Sequence, residues 1–83
     1  MNSDLVSRRR LPFLKRKVLM IVSELGLASH QQIEDRAKLD VSVVEVVVDQ
    51  LVFDSYLYWE KHADVFYYRL SDNGHEFLEG DDK

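Results

Sequence analysis

The chain contains no cysteine, which excludes disulfides and thiolate metal sites. Its three glycines are scattered through 83 residues, so no Gly-rich loop is available to cradle a phosphate. No nucleophile stands in a recognisable activated motif. The longest apolar run, Val18 to Val22, is far too short to span a bilayer. The most telling gap is one of charge. From Leu39 to Glu60 there is neither Lys nor Arg.

What is present fits one small domain. Hydrophobic residues make up 46% of the chain and aromatics 11%, enough for a core without covalent staples. The net charge of −4 is on the wrong side of neutral for a dedicated DNA-binding module. It also conceals an asymmetry. Residues 1–17 carry six basic side chains against one acidic one, a net +5. Residues 18–83 carry five against fourteen, a net −9. A basic amino-terminal segment therefore precedes an acidic body. Ser7 to Lys15 resembles a twin-arginine export motif. However, Glu24 interrupts the apolar run that follows, and no small-residue cleavage site is convincing. A cytoplasmic location is expected, with no membrane association.

Periodicity divides the chain into short elements. Pro12 suits the first turn of a helix, and Leu14, Val18, Ile21, Val22 and Leu25 then recur at helical spacing. Gly26 is placed to end that helix. Ser29 and Gln32 form a capping-box pattern for a second helix over 30–38 that buries Ile33 and Ala37. Leu39 plugs the following turn. Asp40 is the natural N-cap of a third helix, with Ser42 and Glu45 as a second capping box that would shift its start. The valine-rich run from Val41 to Val48 favours a strand on propensity. The stripe Val44, Val47, Val48, Leu51 and the length of the run favour a helix, and a helix is predicted.

The last third reads as a hairpin. Leu57–Glu60 and Val65–Leu70 are strands, with Lys61, His62, Ala63 and Asp64 as the connecting tip. Phe66, Tyr68 and Leu70 share one face of the second strand. Ser71 caps a final helix that buries Phe77 and Leu78 and ends at Gly80. The expected layout is a basic arm over 1–11, a folded domain over 12–80 and an acidic tail over 81–83.

This order resembles the winged helix-turn-helix regulators of the MarR-like and PadR-like families over roughly residues 13–79. The most specific piece is Tyr68-Arg69-Leu70-Ser71-Asp72-Asn73-Gly74-His75-Glu76-Phe77-Leu78. In those families a Tyr-Arg-Leu-Thr segment with a Gly three residues past the Thr ends the wing. Ser55-Tyr56-Leu57 stands where they place a Gly and two apolar residues. The resemblance implies an α+β fold: three helices, a β-hairpin wing and a short C-terminal helix, with a small antiparallel hairpin or three-stranded sheet. It also implies that the third helix presents Val41, Ser42, Val43, Glu45, Val46, Asp49 and Gln50 to a DNA groove.

Those positions suit DNA poorly. Only Ser42 and Gln50 are typical groove readers. Glu45 and Asp49 would meet the dense negative charge of the phosphates, and Val43 and Val46 supply apolar surface instead of donors. Plainer readings stand beside this. Glu45 would serve in a capping box, Asp49 as a solvated charge, and the valines as core. The remaining candidates for nucleic acid are Arg8, Arg9, Arg10, Lys15, Arg16 and Lys17, with Lys61, His62 and Arg69 on the wing. The plainer reading of the first group is a solvated helix face balancing the acidic body.

Enzymatic chemistry, metals and cofactors are not expected. His30, His62 and His75 are widely separated, and none is expected to form an i, i+4 pair with another ligand type on a clear site. Trp59, Tyr58 and Tyr67 read first as packing residues of the wing. Two functions remain. The first is a small transcription-related regulator that contacts DNA through its basic arm and wing. The second is a winged helix adapted to protein contact, or an acidic competitor of a DNA-binding site. It would use Val43, Glu45, Val46, Asp49, Tyr56, Tyr58 and Trp59 to dock a partner or a second copy.

Overall fold

Pro12 lies in the first turn of α1 (Leu11–Leu25), where its missing N–H costs no hydrogen bond. The computed structural model describes residues 10–81. The expected stripe of α1 is buried at Leu14, Val18, Ile21 and Val22, and Leu19 joins it at 0% exposure. Leu19 lies outside the predicted stripe because α1 packs against α2, α3, α4 and the sheet at once. A central helix buries a wider arc than a surface helix. Gly26 closes α1 with φ +78° and donates its N–H to the Val22 carbonyl at 2.8 Å.

A two-residue strand, β1 (Ala28–Ser29), leads into α2 (His30–Ala37). The capping box forms as predicted. Ser29 Oγ accepts from the Gln32 N–H at 3.1 Å, and Gln32 Oε1 accepts from the Ser29 N–H at 2.9 Å. Lys38 turns the chain in the left-handed region, φ 57°, and Leu39 packs half-buried on the core.

The valine-rich run is helical: α3 spans Val41–Phe53. Magnitudes explain why propensity loses. A β-branched residue costs a few tenths of a kcal/mol in a helix. Val44, Val47, Val48 and Leu51 are each 0–1% exposed, and each such burial stabilises by about 1.5–3 kcal/mol as an upper estimate. Asp40 occupies the N-cap position but makes no side-chain cap bond. Its carbonyl instead accepts from the Val43 and Val44 N–H groups. The second capping box, from Ser42 to Glu45, does not set the start, because the helix begins at Val41.

α3 ends in a Schellman turn. The Tyr56 N–H reaches the Leu51 carbonyl at 2.9 Å and the Ser55 N–H reaches Val52 at 3.0 Å, with Ser55 at φ 67°. That conformation costs a non-Gly residue about 1–2 kcal/mol, which accounts for a glycine at this place in the families the chain resembles.

Strands β2 (Leu57–His62) and β3 (Val65–Leu70) pair in register from Leu57↔Leu70 to His62↔Val65. The wing turn is therefore Ala63-Asp64 alone, with both residues at positive φ, as a two-residue hairpin turn requires. Lys61 and His62 are strand residues, not the tip; neither central residue is the usual Asn or Gly, which hides the shorter turn. β1 adds to the other edge of β3, giving the antiparallel order β1-β3-β2.

Ser71 Oγ donates to the Ser55 carbonyl and accepts the Gly74 N–H. α4 (Asp72–Asp81) follows and runs through Gly80, past the predicted end. Phe77 and Leu78 pack half-buried on the core.

Gly74 sits where α4 crosses the α3–β2 junction. A Cβ there would fall well inside van der Waals contact with the Tyr56 carbonyl oxygen, a backbone atom. Helix propensity alone makes Ala better than Gly by about 1 kcal/mol. The close approach reverses the sign, so Gly74→Ala is expected to destabilise by about 1–3 kcal/mol, measured by urea unfolding. Ser55→Gly is expected to stabilise by about 0.5 kcal/mol, the relief of the left-handed backbone less the added chain entropy.

Candidate nucleic-acid interface

The exposed side of α3 is built from residues left over by the buried stripe. Val41, Ser42, Glu45, Val46, Asp49 and Phe53 face solvent, and Phe53 is 83% exposed. Glu45 and Asp49 are one turn apart, so two carboxylates share this face. Two positions expected there are occupied elsewhere. Val43 is half-buried against the core. Gln50 is half-buried and donates to the Asp54 carboxylate at 3.3 and 3.4 Å.

The basic candidates are dispersed. Arg8 and Arg9 lie outside the described residues, as do most of the 1–11 arm and the end of the acidic tail. Arg10 precedes α1 and is exposed. Lys15 Nζ donates to Asp54 at 3.1 Å and ties α1 to the end of α3. Arg16 and Lys17 are half-buried on α1.

On the wing, Lys61 Nζ lies 5.6 Å from the Phe66 ring centre and 3.8 Å from Asp64. His62 meets Glu60 at 3.5 Å, and Arg69 stacks over Tyr58 at 4.8 Å. These wing contacts are solvent-exposed and individually weak, so the cations can be redirected at little cost.

Strand alternation separates the wing residues into two faces. Tyr58, Glu60, His62, Val65, Tyr67 and Arg69 form the face turned away from α3. Leu57, Trp59, Lys61, Phe66, Tyr68 and Leu70 form the other. Of the residues predicted as a protein-contact face, Glu45, Asp49 and Trp59 line one groove, and Val46 is exposed on α3 beside the two carboxylates. Tyr58 lies on the opposite wing face, and Tyr56 is half-buried against Phe77 with ring centres 5.1 Å apart.

Glu45, Asp49 and Trp59 line an open groove of about 530 Å³ between α3 and the wing, with His30, Val52, Phe53, Phe66 and Tyr68. Trp59 and Phe66 meet edge to face at 5.5 Å. His30 Nδ1 contacts Glu34 at 2.8 Å, an i, i+4 pair that is not among the predicted sites, and its ring lies 6.3 Å from Tyr68. Phe53, Phe66 and Tyr68 are likewise not predicted here. The alternation in β3 carries the signal of the last two, but the partner face follows only from the register Trp59↔Tyr68.

The groove has a negative field. The Tyr68 phenol is pushed above its ordinary 10.0, first by burial and then by the charges of Asp49 and Glu45. Because the folded state holds this proton more tightly, the contribution to stability is complete below the unfolded pKa near 10 and is lost as pH rises through the folded value. Asp49→Asn is expected to move the Tyr68 titration back toward 10, read from its ring NMR signals. An unchanged titration would leave burial and Glu45 as the causes.

Among the described residues, no three or more His, Asp or Glu side chains gather as a metal site, and no helix is long and apolar enough to cross a membrane. No protein-family model matches the chain, and no curated protein resembles it significantly in sequence.

Solved structures do resemble it. BpsR of Bordetella bronchiseptica, whose DNA binding is regulated by 6-hydroxynicotinic acid, superposes with a TM-score of 0.80 at 16% identity. The match covers 95% of this chain and 58% of that one. A MarR variant from E. coli in complex with operator DNA gives 0.75 at 15% identity, over 95% and 61%. HlyU of Vibrio cholerae gives 0.64 at 23% identity, over 88% and 74%. The chain spans less than two thirds of the first two. At these identities the shared property is the fold, and this chain has the winged helix-turn-helix fold of MarR-like transcription regulators.

Proposed function

We propose that this chain is a small transcription regulator that holds DNA through its basic amino-terminal segment and wing, with α3 kept off the base edges. The observation that carries this reading is the charge layout on a winged-helix frame. Every outward residue of α3 is acidic, apolar or a lone Ser42, while Lys61, His62 and Arg69 are exposed on the hairpin beside it. Phosphate contact needs only cations and supplies most non-specific affinity. A basic arm that follows the backbone or a minor groove does not require a donor-rich recognition helix.

The test is fluorescence anisotropy with random duplex DNA at low and physiological salt. Binding is expected to weaken steeply with salt. Neutralising Arg8, Arg9 and Arg10 together is expected to lower the slope of log affinity against log salt by roughly 2–3, at about 0.9 for each phosphate no longer neutralised. A slope unchanged by that variant, or no binding at low salt, contradicts the reading.

The apolar, acidic surface of α3 favours a second reading, a protein-contact module. In that case Val46→Lys leaves the monomer folded and breaks its assembly, measured by light scattering. An unaltered assembly counts against it.

A further inference from the structure

The groove between α3 and the wing holds a polar group that the fold leaves unused. Tyr68 is 8% exposed, and its hydroxyl has no hydrogen-bond partner among the described residues. None of those residues has an unpartnered side-chain oxygen sealed from solvent, so this hydroxyl opens into the groove that Tyr68 lines. A nearly buried phenol normally finds a partner. On the facing wall Glu45 and Asp49 lie one turn apart on α3. Neither carboxylate has an ion pair or hydrogen bond among the described residues. Their charge reaches the phenol and helps to hold its proton. Trp59, Phe66 and Phe53 complete the lining, each at least 43% exposed. His30, the basic candidate of the lining, has Nδ1 directed to Glu34.

We propose that this groove receives an arginine side chain presented by a partner protein. The three kinds of lining select a guanidinium. Its N–H groups donate to two carboxylates and to the phenol oxygen, and its plane lies against a ring. A lysine ammonium supplies the charge without the flat face, and an anionic ligand meets two like charges. Rings of this wing already take cations. Lys61 lies over Phe66 at 5.6 Å and Arg69 over Tyr58 at 4.8 Å.

The shape of the groove selects the source of the arginine. The groove is open, whereas a small ligand is mostly enclosed by its pocket. A side chain carried by a protein arrives with its own cover. Val41 and Val46, exposed on the same outward side of α3, offer that protein apolar contact. A second copy docking by the same face would set Glu45 and Asp49 against their own equivalents, which repel. The inference gives a chemistry to the partner in the protein-contact reading and rests on that reading. DNA contact through Arg10, Lys61 and Arg69 uses other side chains.

Trp59 is the only tryptophan and lines the groove, so its emission reports on an occupant. The experiment titrates the full chain with a blocked Gly-Ser-Arg-Ser-Gly peptide. The arginine peptide is expected to bind about tenfold more tightly than its citrulline analogue, which keeps the shape and loses the charge. It is expected to bind about threefold more tightly than the lysine analogue. Glu45→Gln with Asp49→Asn is expected to weaken it about tenfold and to erase its advantage over citrulline. Tyr68→Phe is expected to weaken it about threefold with no loss of stability in urea, because the removed hydroxyl has no partner to lose.

Equal binding of the arginine peptide and either analogue overturns the proposal. So does binding indifferent to these variants, or a Trp59 signal unmoved at tens of millimolar peptide. Benzamidinium binding at least about tenfold more tightly than the peptide makes a small cation the occupant and overturns the partner claim. Trp59 shielding that grows with protein concentration makes the occupant a second copy and also overturns it. Light scattering on Val46→Lys separates the inference from the reading beneath it. Assembly lost in that variant, without an arginine preference, removes the arginine alone. An arginine preference with assembly unaltered removes the protein-contact reading and, with it, the claim that a protein supplies the arginine.

Discussion

The carbonyl of Tyr56 is the point at which the helical layer, the wing and the last helix are joined. It accepts the Ser71 N–H at 3.1 Å, and Gly74 brings α4 against the same oxygen. One residue earlier, the Ser55 carbonyl accepts from Ser71 Oγ. Both ends of the hairpin are therefore fixed to the turn that terminates α3. The angle between α3 and the wing follows from this junction. So does the groove, whose two walls are these elements. A winged helix needs this fixed angle, because the surface it presents is the sum of one helix face and one hairpin.

The second constraint is the conflict inside α3. Its valines prefer a strand, and burial against α1, α2 and β2 keeps them helical. The buried stripe then dictates what faces outward. With Val44, Val47, Val48 and Leu51 inside, Glu45 and Asp49 must be outside, on the side that a DNA-binding relative would turn toward the duplex. The acidic face is thus locked in by the core, and rotation of the helix cannot hide it.

Much of the fold is legible in the sequence because its signals are local. The Ser29–Gln32 box, the glycine at position 26 and the stripe of α3 each depend on residues a few positions apart, and each forms as expected. The features that escape the sequence depend on pairing. β1 is two residues long and exists only because β3 offers a free edge. The wing turn is two residues shorter than expected because Ala63-Asp64 lacks the Asn-Gly signature, while Lys61 and His62 look like loop residues. The site is legible only in pieces. Sequence identifies the missing cations and the acidic pair, but Gln50 is drawn toward Asp54 and Tyr56 toward Phe77 by contacts that no spacing reveals. The groove requires the register that sets Trp59 against Tyr68.

The chain keeps the frame of a DNA-binding fold and changes the sign of its central face. Lys61 and Arg69 on the wing and Arg10 before α1 are the exposed cations at its flanks, and the proposed DNA contact runs through them. The most direct measurement is an amide NMR titration of the full chain with duplex DNA. Contact through the flanks predicts the largest shifts at Arg10, Lys61 and Arg69 and small ones along the outward face of α3. Dominant shifts at Ser42, Glu45, Val46 and Asp49 would mean that this acidic helix enters the groove after all and would contradict it.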